Sequence, residues 1–439
     1  MISIFSLPDF RLALRRVGIK AWSIGLSVLL FGCGDQIVPP DPDDILREQF
    51  GIDTLPDTPY PSDNEYDISR IRLGRLLFFD PILSGEKDVS CGTCHHPDFA
   101  FGDGRPLSAG VSGVGLGPNR TLSVSSVTGD PIEDVPRNAP TVFNSALTTT
   151  QTGELTHLAP VFWDGRAEGL EAQALKPPTS RVEMRGDAFP GTDTEAGQDA
   201  IDSLLLRLRR ISGYVTLFHE AFPQESGPLP TGDPSIITRS TYSRAIASYE
   251  RELVTRNSPM DRYAAGQNDA LSPQQKQGME LFFGRAKCFI CHRGPMMSTF
   301  QYMRTGVPNF GPGKNVIPGD DTGREEATGR IEDRYRFRIP SLRNVELTGP
   351  YMHAGVFTTL EQVVRFYNDG ARPRHPNITD DMVEVVMRQP LGLTNSEVND
   401  LVEFLKSLTD PGVMLDAELL TVPTAVPSGL APVNGLGVP

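Results

Sequence analysis

The chain has 439 residues, with 41 Lys+Arg against 55 Asp+Glu and a formal net charge of −14. That balance argues against nucleic acid and anionic membrane surfaces as partners, and would steer a basic protein toward the chain. The length is enough for two or three domains.

At the N-terminus, Arg11, Arg15, Arg16 and Lys20 precede an apolar run from Ala21 to Phe31 that ends Leu30-Phe31-Gly32-Cys33. A basic region, a short apolar core and small closing residues make an export signal, and the core is too short to span a bilayer. The Leu-x-Gly-Cys ending resembles a lipobox. Residues 1–32 are therefore expected to be a lipoprotein signal peptide, with Cys33 the lipidated first residue; an ordinary signal cut elsewhere is the alternative. Membrane contact would then run only through this N-terminal lipid. Without residues 1–32 the chain carries 37 Lys+Arg and 54 Asp+Glu, a net −17. Residues 33–65 are rich in Pro and Asp and read as a tether.

Leu73-Gly74-Arg75-Leu76-Leu77-Phe78-Phe79 leads into Cys91-Gly92-Thr93-Cys94-His95. A helix expected over Pro273–Gly284, with Ser272 as N-cap, leads likewise into Cys288-Phe289-Ile290-Cys291-His292. Each C-x-x-C-H is the pattern of covalent haem attachment: two thiols form thioethers to one haem, and the histidine supplies the proximal imidazole to the iron. A zinc site or a C-x-x-C redox pair are the competing readings, and neither needs a histidine at the same offset twice. Two c-type haems follow, on Cys91, Cys94 and His95 and on Cys288, Cys291 and His292. Such haem is attached outside the cytoplasmic membrane, so the expected location is the periplasm. With Cys33 lipidated and four cysteines on haem, no disulfide is expected.

Between and beyond the motifs the pattern is mostly helical with long loops. Gly102–Gly117 is too glycine-rich for a helix or strand interior. Ile201, Leu204, Leu205, Leu208 and Ile211 recur at helical spacing. Val398, Leu401, Val402, Leu405 and Leu408 do the same, behind the capping box Thr394-Asn395-Ser396-Glu397. The expected fold is mainly α, with two cytochrome c-like haem domains at 66–255 and 256–412 and an irregular tail at 413–439. The motifs stand 197 residues apart, too far for bare tandem cytochromes.

From about Leu73 to Leu408 the chain resembles the bacterial di-haem cytochrome c peroxidases and their MauG-type relatives. The resemblance rests on Leu-Gly-Arg-x-Leu-Phe at 73–78, Pro136-Arg137-Asn138-Ala139-Pro140-Thr141 and Phe162-Trp163-Asp164-Gly165-Arg166-Ala167. It extends through Leu170–Ala174, Val182-Glu183-Met184, and Pro340-Ser341-Leu342-Arg343-Asn344-Val345 to Pro350-Tyr351-Met352-His353. It implies an enzyme that reacts with hydrogen peroxide at the first haem. Glu183 would be the general acid–base and Gln173 a hydrogen-bonding partner of peroxide. Trp163 would lie between the haems, and His353 near them. Asn138 with the carbonyls of Thr348 and Pro350 would hold one calcium ion.

Two departures from the family pattern stand out. No histidine occurs between His96 and His157, so the classical distal histidine of the first haem is missing from its loop; His157 is a possible substitute. At the second haem the classical distal methionine is replaced by Tyr367, fourteen residues beyond His353 and the MauG-type ligand, with Met296, Met297 and Met352 as competitors. An anionic oxygen ligand lowers the reduction potential. His96, His219 and His375 read as surface histidines. The expected activity is a di-haem peroxidase supplied by a small cytochrome c or cupredoxin. Oxidation of an aromatic residue of a partner protein, and a plain di-haem electron carrier, are the alternatives.

Overall fold

The computed structural model describes residues 41–308, 320–414 and 418–432. The segment expected to be a signal peptide, residues 1–32, and Cys33 lie outside them. The described residues from Pro42 onward form one compact unit. Among the described residues it is helix-rich, with two short antiparallel strand pairs: Pro160–Val161 with Ala167–Glu168, and Tyr302–Met303 with Phe337–Arg338.

Two hydrophobic cores hold the unit together, and each is built around a crossing helix pair. The Ile68–Phe78 helix crosses the Arg239–Glu252 helix, and the Pro273–Phe283 helix crosses the Asn395–Lys406 helix. A glycine lets each pair close. A Cβ on Gly74 would sit 1.9 Å from the carbonyl oxygen of Ala245, and one on Gly278 would sit 2.0 Å from that of Asp400. Four residues on, Phe78 and Phe282 stack edge-on or tilted against Tyr249 and Phe404. Leu77-Phe78-Phe79 and Leu281-Phe282-Phe283 thus mark two copies of one packing unit.

The repeat extends to the turns that follow. Asn144 and Asn344 both adopt left-handed backbone, each opening a single 3-10 turn, Ser145–Leu147 and Val345–Leu347. Both side-chain amides donate to the hydroxyl of Thr255, at 2.9 and 3.0 Å. Thr255 therefore ties the two turns together.

Local signals are met closely. Ser272 caps its helix with Gln275, and Thr394 caps the Asn395–Lys406 helix with Glu397. The Asp193–Arg209 helix buries Ile201, Leu204, Leu205 and Leu208, and Ile211 packs just past its end. The segment expected to be a tether differs. Pro42–Phe50 is helical, Leu46 and Phe50 pack on the second core, and Ile52 is buried in it. Asp43 anchors that helix by ion-pairing with Lys276 at 2.7 Å. Apolar residues spaced four apart, Leu46 and Phe50, are enough to seat one face despite the flanking prolines. The tail also packs: Leu419, Leu420, Val422 and Leu430 cover the first core, and Arg75 donates to the carbonyl of Thr421.

Candidate active site

Each C-x-x-C-H motif lines its own cavity. The first, about 450 Å³, is walled by Cys91, Cys94, His95, Trp163, Gln173 and Glu183. The second, about 280 Å³, is walled by Cys288, Cys291, His292, Tyr367 and, on another side, Trp163 again. These are cofactor-sized spaces.

The histidines are set for a metal. His95 Nδ1 donates to the carbonyl of Phe101 at 3.1 Å, and His292 Nδ1 donates to that of Met297 at 3.0 Å. That places the proton on Nδ1 and leaves the Nε2 lone pair free. Burial pushes both imidazoles below their ordinary proton affinity, His292 to about 4, so they stay neutral. The four cysteines are free thiols that burial keeps protonated, Cys94 and Cys288 pushed up to about 12 and Cys291 to about 11. Gly92 lies under Phe79, whose ring a Cβ would meet at 2.3 Å. Free thiols, a free Nε2 and an apolar wall at each cavity fit one c-type haem apiece.

The far wall of the first cavity is polar. Arg181–Arg185 winds as one π-turn, which sets Glu183 on the cavity. The glycine-rich loop braces it: Val111 N donates to the Glu183 carbonyl at 3.1 Å, and a Cβ on Gly110 would sit 1.9 Å from the carbonyl oxygen of Val182. Burial raises the proton affinity of Glu183, against the pull of the Arg166 charge. Gln173 ends the Gly169–Gln173 helix, and its Oε1 is buried with no protein partner. Such an atom costs about 1–3 kcal/mol unless something in the cavity donates to it.

Trp163 sits in the five-residue loop of the Pro160–Glu168 hairpin. Its indole Nε1 donates to the carbonyl of Asn138 at 2.9 Å, and both residues line both cavities. Below them Arg137 is buried and bonds Asp164, Asp321 and Glu326 together, fixing the wall. Asn138, Thr348 and Pro350 all line the second cavity. They offer three neutral oxygens, short of the six to eight that calcium takes, so water would have to complete the shell.

Tyr367, in the last turn of the Leu360–Asn368 helix, faces the second cavity, and its hydroxyl has no hydrogen-bond partner among the described residues. Burial pushes its proton affinity up. Met296 and Met352 share this lining, while Met297 is in the core. His353 also faces this cavity and stacks on Phe337 at 3.7 Å. His157 lines a small neighbouring pocket that shares Ser145, Val161 and Leu170 with the first cavity, and is not itself among that cavity's lining.

The surface reading of two histidines is corrected. His96 is buried, accepting from Asp98 N, because the loop folds back through the His96–Gly102 bridge. His375 is buried with its Nε2 2.9 Å from a carboxylate oxygen of Asp320. His219 is half-buried, its Nε2 3.0 Å from the carbonyl of Asp233.

One cavity residue escaped the sequence reading. Glu250, buried in the Arg239–Glu252 helix, lines the first cavity, and burial lifts it to about 8. The usable signal was its position four residues after the buried Ile246, on the inward face.

Known proteins carry the same design. Residues 69–269 match the family model of di-haem cytochrome c peroxidase. The methylamine utilization protein MauG of Methylophilus methylotrophus is 32% identical over 378 residues, 85% of this chain and 92% of that protein. The cytochrome c551 peroxidase of Pseudomonas aeruginosa is 32% identical, over 80% of this chain and 82% of its own length. Among solved structures, a MauG-like protein associated with microbial copper homeostasis superposes with a TM-score of 0.65 at 28% identity, covering 84% of this chain and 97% of that one. Taken with the paired cavities, these likenesses establish that the chain belongs to the di-haem cytochrome c peroxidase family, the family of haem oxidoreductases that includes MauG.

Proposed function

We propose that the chain reduces hydrogen peroxide at its first cavity, using electrons that enter at the second from a small redox protein such as a cytochrome c or cupredoxin. One peroxide, two protons and two electrons give two waters. The observation that carries this reading is that His95, Glu183 and the unpartnered Gln173 Oε1 line one cavity. A haem held by Cys91, Cys94 and His95 would supply the iron at which the peroxide O–O bond breaks.

The side chains do the rest. Glu183 takes a proton from the incoming peroxide oxygen and returns it to the departing one. Gln173 Oε1 accepts a hydrogen bond from the peroxide and holds it in line. Trp163, common to both cavity walls, provides an aromatic path for electrons. Cys288, Cys291 and His292 would hold the second haem, and Tyr367, on the same cavity, would offer its hydroxyl oxygen as a further ligand. Asn138, Thr348 and Pro350 would hold one calcium ion, with water completing its shell.

One observation favours a second reading. Tyr367 stands at the second cavity where a peroxidase of the classical kind has methionine, and with it MauG-like oxidation of an aromatic residue in a partner protein becomes the alternative. We also propose that the mature protein is periplasmic and anchored through lipid on Cys33.

Rapid mixing of the ferric, haem-loaded protein with peroxide tests the main reading. The haem spectrum should change in wild type and respond about a hundredfold more slowly in Glu183→Gln. A Glu183→Gln protein that reacts as fast as wild type would remove Glu183 from the mechanism, and a wild type inert to peroxide would leave an electron carrier.

A further inference from the structure

The net charge of −14 conceals opposite charges around the two haem motifs. In the window 84–104, Glu86, Asp88, Asp98 and Asp103 outnumber Lys87, a local −3. In the matching window 281–301, Arg285, Lys287 and Arg293 stand with no acid, a local +3. Arg285 pairs with Glu397. Lys287 and Arg293 are exposed, and among the described residues neither has a carboxylate partner. Lys287 lines the second cavity, and the Arg293 charge is felt at Cys291. The nearby Glu384 is neutralised by Arg336 at 3.4 Å.

Exposed apolar side chains adjoin residues of the same cavity. Ile290, inside the second motif, is 37% exposed, and Val385 is 73% exposed next to Val386 and Met387, which line the cavity. Two segments far apart in sequence thus each place an exposed apolar group next to residues of the cavity that Lys287 also lines. Apolar contact inside a charged border is how transient protein interfaces are built.

We propose that the surface around the second cavity docks an acidic small redox protein, one whose own contact patch is ringed by Asp and Glu. This rests on the peroxidase reading above and names the chemistry of its electron donor. The overall negative charge favours basic partners at long range. Screening limits that to about 8–10 Å at physiological salt, and within that distance Lys287 and Arg293 decide. Near the first motif Asp88 and Asp98 are exposed and Glu86 half-buried, with Asp103 buried, and these surface acids disfavour the same partner there.

The test uses the holoprotein with two reduced probes: a cupredoxin of net negative charge and a basic mitochondrial-type cytochrome c. Titration calorimetry on the ferric protein reads binding, and peroxide-dependent oxidation of each probe reads delivery. Neutral hydroquinone, which needs no docking, serves as control donor. We expect the acidic cupredoxin to bind and turn over faster than the basic cytochrome, with binding that weakens as salt rises. Lys287→Glu with Arg293→Glu should weaken that binding about tenfold or more by calorimetry. Val385→Asp, which does not line the cavity, should weaken it too while hydroquinone turnover holds. Preference for the basic cytochrome, or cupredoxin binding indifferent to all three changes, would overturn the proposal. Loss of hydroquinone turnover in wild type would instead count against the peroxidase reading, with calorimetry still judging the docking site.

Discussion

The indole Nε1 of Trp163 donates to the backbone carbonyl of Asn138 at 2.9 Å, and the two residues together form part of the wall between the cavities. A hairpin loop carries one partner and the Pro-Arg-Asn segment the other, so both motifs are used to hold a single ring. Replacing Trp163 with Phe removes the indole donor and the larger ring. Haem content should stay at two per chain, while electron transfer from the second site to the first slows about tenfold or more, read by stopped flow after reducing one haem. Unchanged transfer would show that the path runs elsewhere.

Glu183 sets the acid side of the pH profile. Burial raises its proton affinity above the ordinary carboxylate range, and the basic form is the one that accepts the peroxide proton. The peroxide rate constant should therefore fall as pH drops, with its midpoint above 4.5. Glu183→Gln should abolish that limb along with most of the rate.

Glu250 bears on stability. Its folded-state value is raised to about 8 from an ordinary 4.5, so the folded protein holds a proton that the unfolded chain has released. Linkage then makes stability fall as pH rises from about 4.5 to about 8, with no penalty below. Glu250→Gln should raise the melting temperature at pH 8 and leave it nearly unchanged at pH 4.5. An equal shift at both would mean the effect is packing, not charge.

Gly278 carries the second helix crossing. Its Cα faces the Asp400 carbonyl with no room for a Cβ, so Gly278→Ala should destabilise the fold by about 1–3 kcal/mol, as overpacked cores do. Chemical denaturation measures it, and a neutral result would mean that the helices separate easily.

Much of this architecture is legible before any coordinates. The haem motifs carry their chemistry in residue type and spacing, and the capped helices at Ser272 and Thr394 announce themselves by short-range hydrogen bonding. Glu183 and Gln173 are readable through family resemblance alone, because nothing in a π-turn or a five-residue helix has a periodic signature. Glu250 and His96 were hidden for a different reason. Polar residues are usually solvated, and only long-range packing, here a cavity and a folded-back loop, buries them. The same holds for residues 42–65 and the tail, whose few apolar side chains find partners more than a hundred positions away.

The most direct measurement is steady-state peroxide turnover by the fully ferric, haem-loaded protein with a reduced small redox protein as donor. The account expects two donor molecules oxidised per peroxide without prior reduction of the enzyme, with turnover lost about a hundredfold in Glu183→Gln. Peroxide that leaves both the haem spectrum and the donor untouched would contradict it.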